Sequence, residues 1–193
     1  MKVVIIKYGA GNVRSVLYAL ERLGVFAEVS DDFDVIRTAD KVIFPGVGEA
    51  SSAMKYLQEK GLDKLIPTLT QPVLGICLGL QLMCDSSEEG NTKCLGIFPQ
   101  KVRKFPDVMK VPQIGWNNVF DLKTTIFNEV KENSYVYFVH GYYAELGDYT
   151  IAKADYIMPY SAALHRDNFY AMQYHPEKSG SVGEQMLRNF INL

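Results

Sequence analysis

Gly75-Ile76-Cys77-Leu78-Gly79-Leu80-Gln81 follows the apolar run Pro72-Val73-Leu74 and leads into Leu82 and Met83. The residues before Cys77 read as a short buried strand, and those after it as the start of a helix. A cysteine therefore occupies a strand-to-helix turn with a glycine two residues to each side. Such a turn is too tight for side chains at the flanking positions and lifts the central one clear of the backbone, the logic of a nucleophile elbow. A helix N-terminus presents unpaired N–H groups that favour a thiolate over a thiol. A small structural cysteine in a Gly-flanked turn fits the same seven residues.

Upstream, strands and helices alternate. Val3 to Ile6 is a continuous apolar run, as in a parallel strand covered on both faces. Val13, Val16, Leu17, Leu20 and Leu23 recur at helical spacing up to Gly24. Phe26 to Val29 reads as a strand, Asp34 to Ala39 as a short helix, and Val42 to Phe44 as a strand ending in Pro45-Gly46-Val47-Gly48. Met54, Tyr56 and Leu57 lie on a helix that Gly61 ends. This order predicts an α/β fold of three layers, a mostly parallel central sheet with helices on both faces. Downstream, strand-like segments dominate: Lys101 to Phe105, Gln113 to Phe120, Tyr135 to His140, Ile151 to Tyr156 and Phe169 to Tyr174. They are expected to extend the same sheet in antiparallel or mixed fashion. A last helix carries Val182, Met186, Leu187, Phe190 and Ile191. No linker or repeat interrupts residues 1–193, which read as one domain.

Composition narrows the function classes. Hydrophobic residues make up 48%, charged residues 22%, and the net charge is −2, a soluble globular balance without a nucleic-acid signature. No apolar stretch approaches the length of a membrane span, and the N-terminus lacks a secretory leader pattern. The three cysteines, Cys77, Cys84 and Cys94, show no disulfide spacing, which points to a reducing cytoplasm. Metal-ligand spacings and a complete dinucleotide fingerprint are missing, so no metal and no cofactor are expected.

A thiol nucleophile needs a base, and the base an orienting partner. Of three histidines, His175 stands in Tyr174-His175-Pro176-Glu177. Pro176 keeps His175 extended, and side chains two apart in an extended segment share a side, so Glu177 is expected beside the imidazole. Gly46-Val47-Gly48 and the N–H of Leu78 are candidate donors to an oxyanion; an ordinary glycine-rich turn fits Gly46 to Gly48 as well. His140 reads as a strand-end histidine and His165 as structural or exposed. Cys84 and Cys94 read as core or loop residues.

These motifs, with Pro45-Gly46-Val47-Gly48 and Tyr174-His175-Pro176-Glu177 in the same order and at comparable spacing, resemble those of the class I (triad) glutamine amidotransferases along essentially the whole chain. The resemblance implies hydrolysis of glutamine to glutamate and ammonia by Cys77, His175 and Glu177, with ammonia passed to a synthase. It implies substrate contacts at Gln81, Glu89 and the backbone of His140, Gly141 and Tyr142. Leu80 before Gln81, Tyr8-Gly9-Ala10-Gly11-Asn12, Val111 to Asn117 and Lys178-Ser179 resemble the histidine-biosynthesis branch. That branch implies a heterodimer with a separate (β/α)8-barrel cyclase subunit, met near Gly11, Asn12, Tyr135 and Lys178. Trp116 is a candidate anchor there, or a core tryptophan. Lys7 stands where the family usually has an acidic residue, and Gly141 where it often has a hydroxyl. A glutaminase serving anthranilate or pyridoxal phosphate synthesis, and a non-catalytic redox or regulatory protein on the same fold, remain as rival readings.

Overall fold

The computed structural model describes residues 1–9 and 12–193. The first half alternates as expected: β1 (Val3–Ile6), α1 (Val13–Arg22), β2 (Ala27–Ser30), α2 (Phe33–Arg37), β3 (Lys41–Gly46), α3 (Ala50–Lys60), α4 (Leu62–Leu65), β4 (Val73–Cys77) and α5 (Leu78–Met83). Short strands β5 (Ser86–Ser87) and β6 (Thr92–Lys93) follow, then β7 (Lys101–Lys104), β8 (Gln113–Val119), β9 (Ser134–His140), β10 (Tyr142–Ala144), β11 (Thr150–Tyr156), β12 (Met158–Arg166) and β13 (Phe169–Met172). Helix α6 (Gly180–Ile191) closes the chain.

The main sheet has eleven strands in the order β2-β1-β3-β4-β13-β12-β10-β7-β5-β6, with β11 added to β12. From β2 to β13 the pairs are parallel; from β13 onward they are mostly antiparallel. Alternation along β1 explains its unbroken apolar run. Val4 and Ile6 pack with α3, α4 and α5, whereas Val3 and Ile5 pack with α1 and α6. Helix α2 is capped by Asp32, whose carboxylate accepts from the N–H groups of Asp34 and Val35 at 2.9 and 3.0 Å.

The second half departs from the expected extension. Strands β8 and β9 pair only with each other, from Gln113 opposite His140 to Val119 opposite Ser134, as a separate two-stranded sheet. Val136, Phe138 and Val119 point into the core shared with α6, while Ile114, Trp116 and Tyr135 stay exposed. Alternation in the sequence identifies such strands but not their partners. Strand β12 has no matching sequence signal: Pro159 lies near its start and Ser161, Ala162 and Ala163 have low strand propensity, yet Tyr160 to Leu164 are buried at its centre. The second strand begins at Ala27, and Phe26 is 82% exposed.

Candidate active site

Strand β4 ends at Cys77, and the chain turns there with φ 53° and ψ −105°, a conformation strained for any residue with a side chain. Close approach explains the flanking glycines. A Cβ on Gly79 would lie 1.9 Å from the Phe44 carbonyl oxygen, and one on Gly75 would meet Met83 Sδ at 2.8 Å. Helix α5 therefore presses directly on β3 and β4, and this contact holds the elbow in place. Cys77 is buried; its sulfur lies 3.8 Å from the Val139 carbonyl oxygen and 3.7 Å from Gln173 Nε2.

The neighbouring parallel strand brings His175 to the same edge, because β13 pairs with β4 from Phe169 opposite Val73 to Met172 opposite Ile76. Glu177 meets His175 by a route other than the expected extended segment. Pro176–Lys178 form a 3₁₀ turn, which folds the carboxylate back so that Oε1 sits 2.7 Å from His175 Nδ1. Pro176 at the first position of that turn gives up no needed N–H. Ser179 locks the segment: its hydroxyl donates to the His175 carbonyl at 2.6 Å and accepts from the Tyr137 N–H at 3.0 Å. Since Nδ1 donates to Glu177, Nε2 is the free imidazole nitrogen. It is buried and has no hydrogen-bond partner among the described residues. Burial lowers the His175 pKa, but Cys77 and then Glu177 raise it, and the net effect lifts it to about 10.

Asn12 belongs to this pair. Its side-chain amide donates to Glu177 Oε1 and lies 3.3 Å from His175 Nδ1, so the side chain points inward. Gly11 lies outside the described residues. Trp116 and Tyr135 are 56% and 60% exposed, with Trp116 edge-on to Tyr137, and Lys178 is exposed too.

A cavity of about 220 Å³ opens beside Cys77, lined by Val47, Gly48, Leu78, Gln81, Glu89 and the segment Val139 to Tyr142. It holds the volume of roughly seven liquid waters, the size class of a single amino acid. Gly46 lies behind this wall: it pairs with Cys77 in the sheet, and a Cβ there would collide with the Tyr8 hydroxyl. Gln81 Nε2 donates to the Tyr142 carbonyl at 3.0 Å and to Gln173 Oε1 at 3.1 Å, which leaves its Oε1 as an acceptor. Glu89 accepts from the Ala50 N–H at 2.8 Å, and burial raises its pKa. Gln81 and Glu89 thus offer acceptors suited to an ammonium group.

His140 ends β9 as expected and is not placed as a base. Nδ1 donates to the Tyr142 carbonyl at 2.7 Å, Nε2 lies 3.3 Å from the Tyr160 hydroxyl, and burial lowers its pKa to about 4. His165 stacks on Tyr170 at 4.1 Å, away from this cavity. Cys84 and Cys94 are buried free thiols, and burial raises both their pKa values. The sequence does not place Gln173 and Ser179 in the site; the signals available are Gln173 standing two residues before His175 and Ser179 closing the Lys178-Ser179 motif.

Residues 4–193 match the family model described as glutamine amidotransferase class-I. The chain is 56% identical over 196 residues to the imidazole glycerol phosphate synthase subunit HisH of Bacteroides fragilis, with all of both chains covered. The HisH of Shewanella loihica is 46% identical, covering 98% of this chain and 90% of that one. Among solved structures, a putative GMP synthase subunit from Thermoplasma acidophilum superposes with a TM-score of 0.77 at 21% identity, covering 100% of this chain and 92% of that one. That likeness is one of fold.

Proposed function

This chain belongs to the class I glutamine amidotransferase family, and from that premise we propose that it is the glutamine amidotransferase subunit of an imidazole glycerol phosphate synthase, acting in histidine biosynthesis. The observation that carries the reading is the buried His175–Glu177 pair, whose imidazole pKa is raised most by a neighbouring cysteine held on a strained elbow.

In this mechanism glutamine enters the cavity with its α-ammonium group toward Gln81 and Glu89. The Cys77 proton passes to His175 Nε2 and Sγ attacks the side-chain amide carbon, forming a C–S bond and moving the carbonyl electron pair onto oxygen. The N–H of Leu78 and one N–H from Gly46 to Gly48 stabilise that oxyanion. The tetrahedral adduct collapses, the C–N bond breaks, and His175 delivers the proton that lets nitrogen leave as ammonia. His175 then takes a proton from water as the water attacks the thioester carbon; the second adduct collapses, the C–S bond breaks, and His175 returns that proton to Cys77 Sγ as glutamate leaves. Glu177 keeps the imidazole in the required tautomer throughout.

The partner in this reading is a separate (β/α)8-barrel cyclase subunit, which uses the ammonia to form imidazole glycerol phosphate and aminoimidazole carboxamide ribonucleotide. Ile114, Trp116 and Tyr135 are exposed on the outer face of β8 and β9, and β9 runs directly into the cavity-lining segment Val139 to Tyr142. A barrel docked on that face receives ammonia beside its point of release. The same reading places the reaction in the cytoplasm, where Cys77, Cys84 and Cys94 stay reduced; among the described residues no helix is long and apolar enough to cross a membrane.

The test is glutamate release by this chain alone, with a cyclase subunit, and with cyclase plus its nucleotide ligand. Strong stimulation by the full mixture, lost in C77S, is the expected result. High activity that ignores the cyclase overturns the partner, and a folded but inactive chain in every mixture overturns the glutaminase.

A further inference from the structure

Gln173 is completely buried, immediately after β13, between the nucleophile and the cavity wall. Its orientation follows from a proton inventory. The Tyr142 carbonyl only accepts, so the end of Gln81 that lies 3.0 Å from it is Nε2. That same nitrogen lies 3.1 Å from the Gln173 side chain, which must therefore present Oε1 to it. The other end of the Gln173 amide, its NH2 group, is left facing Cys77 Sγ at 3.7 Å.

We propose that Gln173 is a donor to the nucleophile, holding the Cys77 sulfur as thiolate and tying its position to Gln81. This rests on the reading of Cys77 as the nucleophile. The two polar neighbours of the sulfur act in opposite senses. The Val139 carbonyl, 3.8 Å away, interacts favourably only with a protonated thiol. The Gln173 N–H favours the anion, and hydrogen bonds to an ionised partner are the stronger kind. Because Gln173 is sealed from solvent, water cannot replace the donor once it is removed. Gln173 also links the two halves of the site: the amide that touches the sulfur grips the one Gln81 proton not already given to Tyr142. Displacement of Gln81 in the cavity therefore reaches the sulfur through a single side chain.

The titratable groups facing Cys77 are His175 with Glu177 behind it, Tyr8 from the end of β1, and Glu89 and His140 across the cavity. None of them is changed by substituting Gln173. The test is the pH dependence of iodoacetamide alkylation at Cys77, resolved by mass spectrometry from Cys84 and Cys94, in the full chain. In Q173M, which keeps the length but removes the donor, the profile moves about one unit to higher pH, so that the rate falls about tenfold at pH values below the wild-type midpoint. In Q173E, which keeps an acceptor for Gln81 but turns an oxygen toward the sulfur, the rate falls further. An unshifted profile in either folded variant overturns the inference. In the wild-type protein, the Gln173 side-chain amide NMR resonance moves with the midpoint of Cys77 alkylation and loses that response in C77A; a resonance that ignores Cys77 also overturns it. If wild-type Cys77 is alkylated no faster than Cys84 and Cys94, and C77S still releases glutamate, it is the nucleophile reading that has failed.

Discussion

His175 Nδ1 lies 2.7 Å from Glu177 Oε1, with both side chains sealed from solvent. The contact ties the Nδ1–H to the carboxylate and turns Nε2 toward the thiol. E177Q is therefore expected to lower the rate of glutamate release by about 10³-fold or more, by the loss of tautomer control seen when an orienting carboxylate becomes an amide. The sign for stability follows from the raised imidazole pKa, about 10 in the fold against 6.5 for the free group. The contacts that raise it, with Cys77 first and Glu177 second, contribute fully below pH 6.5, and their contribution is lost as pH rises through about 10. Urea unfolding from pH 6 to pH 10 checks this: the advantage of wild type over E177Q narrows as pH rises.

Cys77 holds φ 53° and ψ −105°, where glycine is at ease and other residues are strained. C77G and C77A both lack the sulfur and are both expected to be inactive. C77G is expected to be more stable than C77A by about 1–2 kcal/mol, the scale of such backbone strain. Urea midpoints of the two variants measure the difference directly. Equal midpoints mean the turn relaxes without the sulfur.

His140 is buried neutral, its pKa lowered to about 4 by desolvation against 6.5 when free. The unfolded chain takes up a proton there before the folded chain does. Stability is therefore present above pH 6.5 and falls as pH drops toward 4, by on the order of 3 kcal/mol from this group. H140Q removes that component, so its stability curve is flatter between pH 6.5 and 4. A curve as steep as that of the wild type places the acid sensitivity elsewhere.

Trp116 and Tyr135 are more than half exposed, so W116A and Y135A are expected to leave thermal unfolding nearly unchanged. On the proposed docking face each is expected to weaken cyclase binding by about 2 kcal/mol or more, roughly thirtyfold. Titration calorimetry of the pair decides; unchanged affinity moves the interface off this face.

The order of elements around Cys77 is legible because each signal is local. Gly75 reports a close contact with the helix just beyond the turn, Gly79 marks the turn itself although what it meets is Phe44 on β3, and the alternating apolar runs report burial on two faces of one sheet. His175 is legible because Pro176 and Glu177 are its chain neighbours, although a 3₁₀ turn rather than an extended segment joins them. Asn12 reads from sequence as a residue near a partner surface, because nothing beside it in the chain tells of Glu177, 165 residues away.

The sequence by itself determined the doubly covered parallel core, the elbow and the His–Glu pair, since periodicity, turn geometry and neighbouring side chains need no distant partner. Only the tertiary structure decided that β8 and β9 stand apart from the main sheet, that Asn12 turns onto Glu177, and that Gln173 meets Cys77. Those outcomes depend on which strand edges and buried polar groups find one another across long loops. Hydrogen bonds between residues far apart in the chain settle that choice, and residue spacing carries no record of it.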